Sequence, residues 1–196
     1  MLPPHLTPPD QGLYAAVDVH YPATGGARAA LVAAHDPRFA EITEQRLHEL
    51  AEALPYEPGN FYVRELPAIL AVIADLDAPP TLVIVDGYAD LDPHGRPGLG
   101  AHLHASLRVP VIGIAKTAFR AATHAVEVRR GAAVRPLYVT AAGLAISDAV
   151  ALVTGMAGQY RLPDALRRVD ALARGRDPQP DRHRSPATAA DLRNVD

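Results

Sequence analysis

Two short apolar runs limit what this chain can fold into more than any other feature. Residues 81–85 read Thr-Leu-Val-Ile-Val, and residues 109–115 read Val-Pro-Val-Ile-Gly-Ile-Ala. Neither run alternates polar with apolar side chains, so neither suits a sheet with one wet face. Both read as strands buried on two sides, the usual state of parallel strands. Parallel neighbours need a crossover, and residues 99–107 supply a helical one after the Gly- and Pro-rich loop that ends at Gly98. Helices must then cover both faces of the sheet.

The flanking segments extend this plan. Residues 61–75 predict a helix, with Leu66, Ile69, Leu70 and Ile73 on one side at three-and-four spacing. Ahead of it, residues 13–21, 27–34 and 39–47 read as three strands with tight turns at 22–26 and 35–37, an antiparallel meander. A helix-favouring stretch at 50–54 blurs the end of the third. Downstream, residues 124–130 and 135–138 predict a hairpin around Gly131. Helices follow over 147–156, with Ser147 as N-cap, and over 164–174, just after Pro163. Residues 1–12 read as an extended, proline-rich leader. A meander feeding strand–helix–strand units gives an α/β, ribonuclease H-like mixed sheet with helices on both faces. One domain is expected over 1–174. The stretch 175–196 lacks apolar periodicity and is expected to be a disordered tail.

Composition narrows the chemistry. A chain of 196 residues with 48% apolar content suits one globular domain. It has no cysteine, which excludes disulfides, thiolate metal sites and Cys nucleophiles. Any metal must be held by carboxylate, imidazole, carbonyl or water, which favours Mg²⁺ or Mn²⁺. No apolar run approaches the roughly 18 residues of a membrane span, and the start lacks the plan of a signal peptide. A cytoplasmic protein without membrane contact is expected. The net charge of −3 gives no support to nucleic-acid binding, although clustered acidic ligands lower net charge without removing a local basic track.

Three carboxylates stand out. Asp18 interrupts an apolar strand, where an unpartnered charge is costly. Asp86 ends a buried strand, and chemistry in open α/β sheets gathers at such ends. Glu65 lies near the start of a helix, where a carboxylate also suits the macrodipole. Each has an ordinary structural explanation alone. Together, on the first strand, the adjacent strand and the intervening helix, they can converge on one point. Converging carboxylates must protonate or bind a cation, and hard metals so held serve phosphodiester hydrolysis. Asp170 is placed to add a fourth carboxylate. Lys116, after Gly113-Ile114-Ala115, could meet a phosphate. His94, His102 and His104 lack a further ligand pattern and read as structural. The glycines of 95–100 match no phosphate-loop spacing, and no Ser-His-Asp arrangement has an elbow motif.

Several pieces occur in order along the chain: Val17-Asp18-Val19; Pro55-Tyr56-Glu57-Pro58-Gly59 leading to Arg64-Glu65; Val85-Asp86-Gly87; Pro97-Gly98-Leu99-Gly100; Pro110 to Lys116; and Arg161-Leu162-Pro163 through Arg167 to Asp170. In these the chain resembles the endonuclease V family, the deoxyinosine 3′ endonucleases. The resemblance implies Mg²⁺ held by Asp18 and Asp86, with Mn²⁺ as a substitute and Glu65 beside it. It implies Lys116 facing the scissile phosphate and Asp170 near the metal. Residues 55–58 match the family's wedge, with Tyr56 and Pro58 entering the duplex. Gly59, Gly87 and Gly98 match glycines lining the pocket for a flipped hypoxanthine. The implied reaction cuts 3′ to deoxyinosine in DNA and leaves 5′-phosphates, a repair role for a monomer. Segment 88–96 departs from the family: it has Asp92 where a His would stand and is one residue longer. Cleavage of inosine-containing RNA or of single strands is the alternative activity, and a non-catalytic nucleic-acid-binding module the alternative class.

Overall fold

The computed structural model describes residues 12–55 and 61–176. Strands β1 (Tyr14–His20), β2 (Ala27–Ala34) and β3 (Glu44–Leu50) form the meander. Helix α1 (Phe61–Ala74) leads to β4 (Leu82–Asp86), and α2 (Leu99–Leu107) leads to β5 (Val111–Ala115). A hairpin of β6 (Val126–Val128) and β7 (Leu137–Ala142) follows, then α3 (Ile146–Gly155) and α4 (Asp164–Ala173). The seven strands lie in the order β3-β2-β1-β4-β5-β7-β6. β1, β4 and β5 are mutually parallel neighbours, and the outer pairs are antiparallel.

Strand alternation sorts the core into two layers. Tyr14, Ala16, Leu82, Ile84, Ile112 and Ile114 face α3 and α4. Ala15, Val17, Val83, Val85 and Val111 face α1 and α2. β1, β4 and β5 are apolar on both faces because helices cover both, as the two runs at 81–85 and 109–115 require. Each fully buried aliphatic side chain here contributes roughly 1.5–3 kcal/mol. In α1 the inward stripe is Glu65, Ala68, Ile69, Val72 and Ile73. Pro67 within the helix has no N–H to offer the Val63 carbonyl.

Three boundaries differ from the sequence reading. The third strand starts at Glu44, not residue 39, and runs on to Leu50, where the stretch that favoured helix begins. It carries Glu44, Arg46, His48 and Glu49 on an outer edge of the sheet, so pairing with β2, from Ala27↔Leu50 to Ala33↔Glu44, shapes it rather than apolar burial. α3 is preceded by Ala145 in an extended conformation, and no side chain caps it. Ser147 is already helical, and Asp148 supplies the negative charge of the first turn. The predicted hairpin pairs Val126–Val128 with the first half of β7, from Val128↔Leu137 to Val126↔Val139, so its loop spans 129–136 and is longer than a turn at Gly131 requires. Among the described residues no helix is long and apolar enough to cross a membrane.

Candidate active site

The register Val17↔Val85 between β1 and β4 brings Asp18 beside Asp86, one step further along. Asp18 pairs across from Ala30 and Asp86 from Ile114, and both of those face α3 and α4. The two carboxylates therefore project from one face of the sheet. Lys116 lies two residues beyond Ile114 on the same side, and its Nζ donates to Asp86 Oδ2. From α4, Asp170 is close enough to raise the pKa of Asp18, and its Oδ1 accepts a bond from Arg174 Nε at 2.9 Å. Glu65 comes from α1, on the other side of the sheet, and is only 7% exposed.

Electrostatics bind these groups into one unit. Burial first, then the charges of Asp86 and Asp170, push the Asp18 carboxyl up to about 6; the Val19 backbone and Lys116 pull the other way. Burial first, then Asp18 and Asp86, push Glu65 up to about 8, against the pull of Arg64. A carboxyl raised this far is short of positive charge. The donor set is all oxygen and partly desolvated, as a hard cation requires, and an ammonium is already drawn to Asp86. The residues thus fit a divalent cation, although among the described residues no three His, Asp or Glu side chains stand close enough to enclose one.

Beside Asp86 lies a pocket of about 160 Å³, lined by Phe61, Tyr62, Gly87, Tyr88, Leu91 and Leu99 together with Asp86 and Gly98. Part of its wall is Gly87 and Tyr88, in the turn at residues 87–89. Gly87 has φ +143, a conformation side chains rarely adopt. The turn is pressed against its surroundings: a Cβ at Gly98 would stand 2.7 Å from the Tyr88 carbonyl oxygen, and one at Gly113 would stand 2.5 Å from the Ala89 nitrogen. The Ala89 N–H donates to the buried Thr140 Oγ1 at 2.7 Å. Tyr88 bonds across to the neighbouring loop, donating to the Thr117 carbonyl at 2.8 Å and accepting from the Phe119 N–H at 2.9 Å. Tyr62 is stacked on His102 at 3.5 Å between ring centres.

The structure brings Asp18, Glu65, Asp86, Lys116 and Asp170 to one end of the sheet and places Gly87 and Gly98 in the adjoining pocket. Tyr56, Pro58 and Gly59 lie outside the described residues. His102 and His104 have structural contacts, the latter with the Val109 carbonyl at 2.7 Å. Asp92, in the divergent loop, accepts from the N–H groups of His94 and Arg96 and so caps a turn; those bonds, Arg96 first, hold its carboxyl below the usual range. Thr140 and Tyr21 were not singled out from sequence. Tyr21 follows Asp18 by three residues, and the Arg64 guanidinium lies over its ring at 3.5 Å. Among the described residues its buried hydroxyl has no hydrogen-bond partner, and burial, then Glu65, raises its pKa. An aromatic at the end of the Asp18 strand was the available signal for Tyr21; nothing local marks Thr140.

A mixed sheet of this order, with Asp18 late in β1 beside Asp86 at the end of β4, is a ribonuclease H-like arrangement. The profile of the endonuclease V family matches residues 5–140. Endonuclease V of Azotobacter vinelandii is 33% identical over 84% of this chain and 83% of its own length. That of Streptomyces coelicolor is 32% identical over 85% and 80%. The crystal structure of endonuclease V from Streptomyces avermitilis superposes with a TM-score of 0.73 at 28% identity, covering 86% of this chain and 82% of that one. Ciona intestinalis endonuclease V, solved with DNA containing an inosine, shares the fold at 16% identity, with a TM-score of 0.72 over 83% of this chain and 84% of its own. The chain belongs to the endonuclease V family.

Proposed function

We propose that this chain hydrolyses a phosphodiester bond 3′ to deoxyinosine in DNA and leaves a 5′-phosphate, as a metal-dependent repair nuclease. The observation that carries this reading is the crowding of Asp18, Asp86 and Glu65 beside a pocket with aromatic walls. An engineered cavity of about 150 Å³ admits a benzene ring, so a partly open pocket of about 160 Å³ suits a flat heterocycle extruded from the stack. Inosine-containing DNA bound to the Ciona relative supports the choice of base.

Asp18 and Asp86 would hold Mg²⁺, with Mn²⁺ as a substitute; bound there, such an ion supplies Lewis-acid activation of the phosphodiester and of water. Lys116 brings its ammonium to the same face and offsets charge developing on the phosphoryl oxygens. Glu65, raised to about 8, holds a proton at neutral pH while no cation is near. Asp170 faces the group from α4, tied to Arg174. Gly59, Gly87 and Gly98 would let the backbone close on a base, and Tyr56 with Pro58 would fill the gap it leaves in the duplex.

A cleavage panel tests this. Inosine, uracil, mismatched and undamaged strands are offered as DNA and as RNA, with Mg²⁺ and with EDTA. Cutting confined to inosine-containing DNA in Mg²⁺, and lost in a folded Asp86→Ala variant, is expected. Full activity in excess EDTA, or equal cutting of undamaged DNA, overturns the reading.

A further inference from the structure

A second pocketed surface begins at Lys116, across the Tyr88–Thr117 hydrogen bond from the base pocket. β7 runs antiparallel to β5, and Ala115↔Tyr138 sets the start of β7 beside the end of β5 that leads into Lys116. A small pocket there, about 190 Å³, is lined by Lys116, Arg135, Tyr138 and Arg161 among others. Arg161 also lines the next pocket, a groove of about 760 Å³ that includes Tyr160 and Arg167. No side chain lining either pocket is acidic.

Lys116 is drawn to Asp86, but the arginines of this groove are fixed by the fold and weakly neutralised. Arg161 Nη2 donates to the carbonyls of Lys116 and Pro136, the latter at 2.8 Å; those neutral acceptors orient the guanidinium, and among the described residues no carboxylate pairs with it. Behind it, the buried Arg130 donates to the carbonyls of Met156, Gly158 and Tyr160, which fastens the loop that presents Tyr160. Arg135 is exposed. Arg167 lies over the Tyr160 ring at 4.5 Å and pairs with Asp164 at 3.3 Å, a contact exposed enough to exchange for a phosphate. Tyr160 itself is 53% exposed. A rigid, exposed aromatic set among arginines stacks a base and pairs its flanking phosphates. The chain's net charge of −3 conceals this local basic track.

We propose that the groove from Lys116 through Arg161 to Tyr160 and Arg167 is a nucleotide-binding subsite for the DNA strand 3′ to the cut, with Tyr160 stacking on a base. This rests on the functional reading above: with the altered base in the pocket beside Asp86 and the cut 3′ to it, the strand beyond the cut runs past Lys116, which joins Asp86 to the groove. The subsite commits the 3′ fragment, the product that carries the new 5′-phosphate, to a positively charged seat.

Binding is measured by fluorescence anisotropy in EDTA, with inosine-containing single strands whose 3′ flank or 5′ flank is shortened in steps. Wild-type affinity is expected to fall when the 3′ flank is trimmed back to the cut site. In Tyr160→Ala that dependence shrinks by on the order of tenfold, the worth of a stacked base. In Arg135→Ala and Arg167→Ala the salt slope of binding falls by about 0.7 each. Thermal melts of all three variants within a few degrees of the wild type show that the fold is kept. Unchanged 3′-flank dependence in a folded Tyr160→Ala, or equal sensitivity to both flanks, overturns the subsite. Parallel cleavage in Mg²⁺ separates this from the functional reading: failure to cut inosine-containing DNA overturns that reading, while the anisotropy still decides the subsite.

Discussion

Replacing Glu65 by Gln removes one negative charge from the crowded end of the sheet and keeps the shape of the side chain. Glu65 is buried, and its carboxyl is raised from the ordinary 4.5 to about 8. Below about pH 4.5 both folded and unfolded chains hold the proton, and the group costs nothing. As pH rises towards 8 the unfolded chain loses the proton and the folded chain keeps it, so stability falls. Above about 8 both are ionised and the loss is complete. The gap of about 3.5 pH units, at about 1.36 kcal/mol per unit, sets a ceiling near 5 kcal/mol and a loss of about 3 kcal/mol at pH 7. Gln carries no such cost. In EDTA the melting temperatures of Glu65→Gln and wild type should coincide near pH 4.5 and diverge as pH rises. At about 2–4 °C per kcal/mol for a chain of this size, the variant should melt about 6–12 °C higher at pH 7. Mg²⁺ should raise the wild-type melting temperature more than the variant's. A gap that stays constant from pH 5 to pH 8, or a variant that melts lower throughout, refutes the assignment of Glu65 to a charge-starved cluster.

Gly113→Ala would drive a Cβ against the backbone at Ala89 and Gly87; a loss of about 1–3 kcal/mol in chemical denaturation and weaker cutting of inosine-containing DNA are expected. Thr140→Val leaves the Ala89 N–H buried without its acceptor, which should cost about 1–3 kcal/mol in the same assay while Thr140→Ser recovers most of it. Tyr56→Ala should impair cleavage of duplexes more than of single strands with little change in melting temperature; equal losses on both with clear destabilisation would exclude a wedge. A chain ending at Arg176 should fold and cut as the full chain does, since residues 177–196 lack the apolar periodicity to offset ordering entropy; a marked rise in KM would assign phosphate contacts to Arg182 and Arg184.

The centre of the sheet was legible because burial on two faces leaves a pattern that needs no partner to be seen: β4 and β5 are apolar throughout and end at Asp86 and Lys116. β1 was legible for the same reason, and Asp18 stood out because nothing polar surrounds it. β3 was misplaced because Glu-Gln-Arg-Leu-His-Glu-Leu has no apolar face to register, and Leu47 is 45% exposed. Its position depends on hydrogen bonds to β2, which the segment alone does not encode. The same holds at the site. The carboxylates were visible one by one, but the support of the pocket turn is a bond from Ala89 to Thr140, 51 residues away. The basic groove was hidden by net charge, because its arginines come from the β6–β7 loop, the α3–α4 loop and α4.

The two margins of the sheet bear on how these molecules treat one another at high concentration. A strand with free backbone groups is a template, and a second chain can copy itself onto it. β3 presents that template with Arg46 bound to Glu44 and His48 to Asp75 along its length, so docking must strip water from charges before a rung forms. At the other margin β6 spans Val126–Val128 and offers too few rungs to hold a visitor. Self-templated growth is therefore expected to stall on both sides, and exchanging Arg46 and His48 for Val should be enough to start it, seen as turbidity that rises with protein concentration.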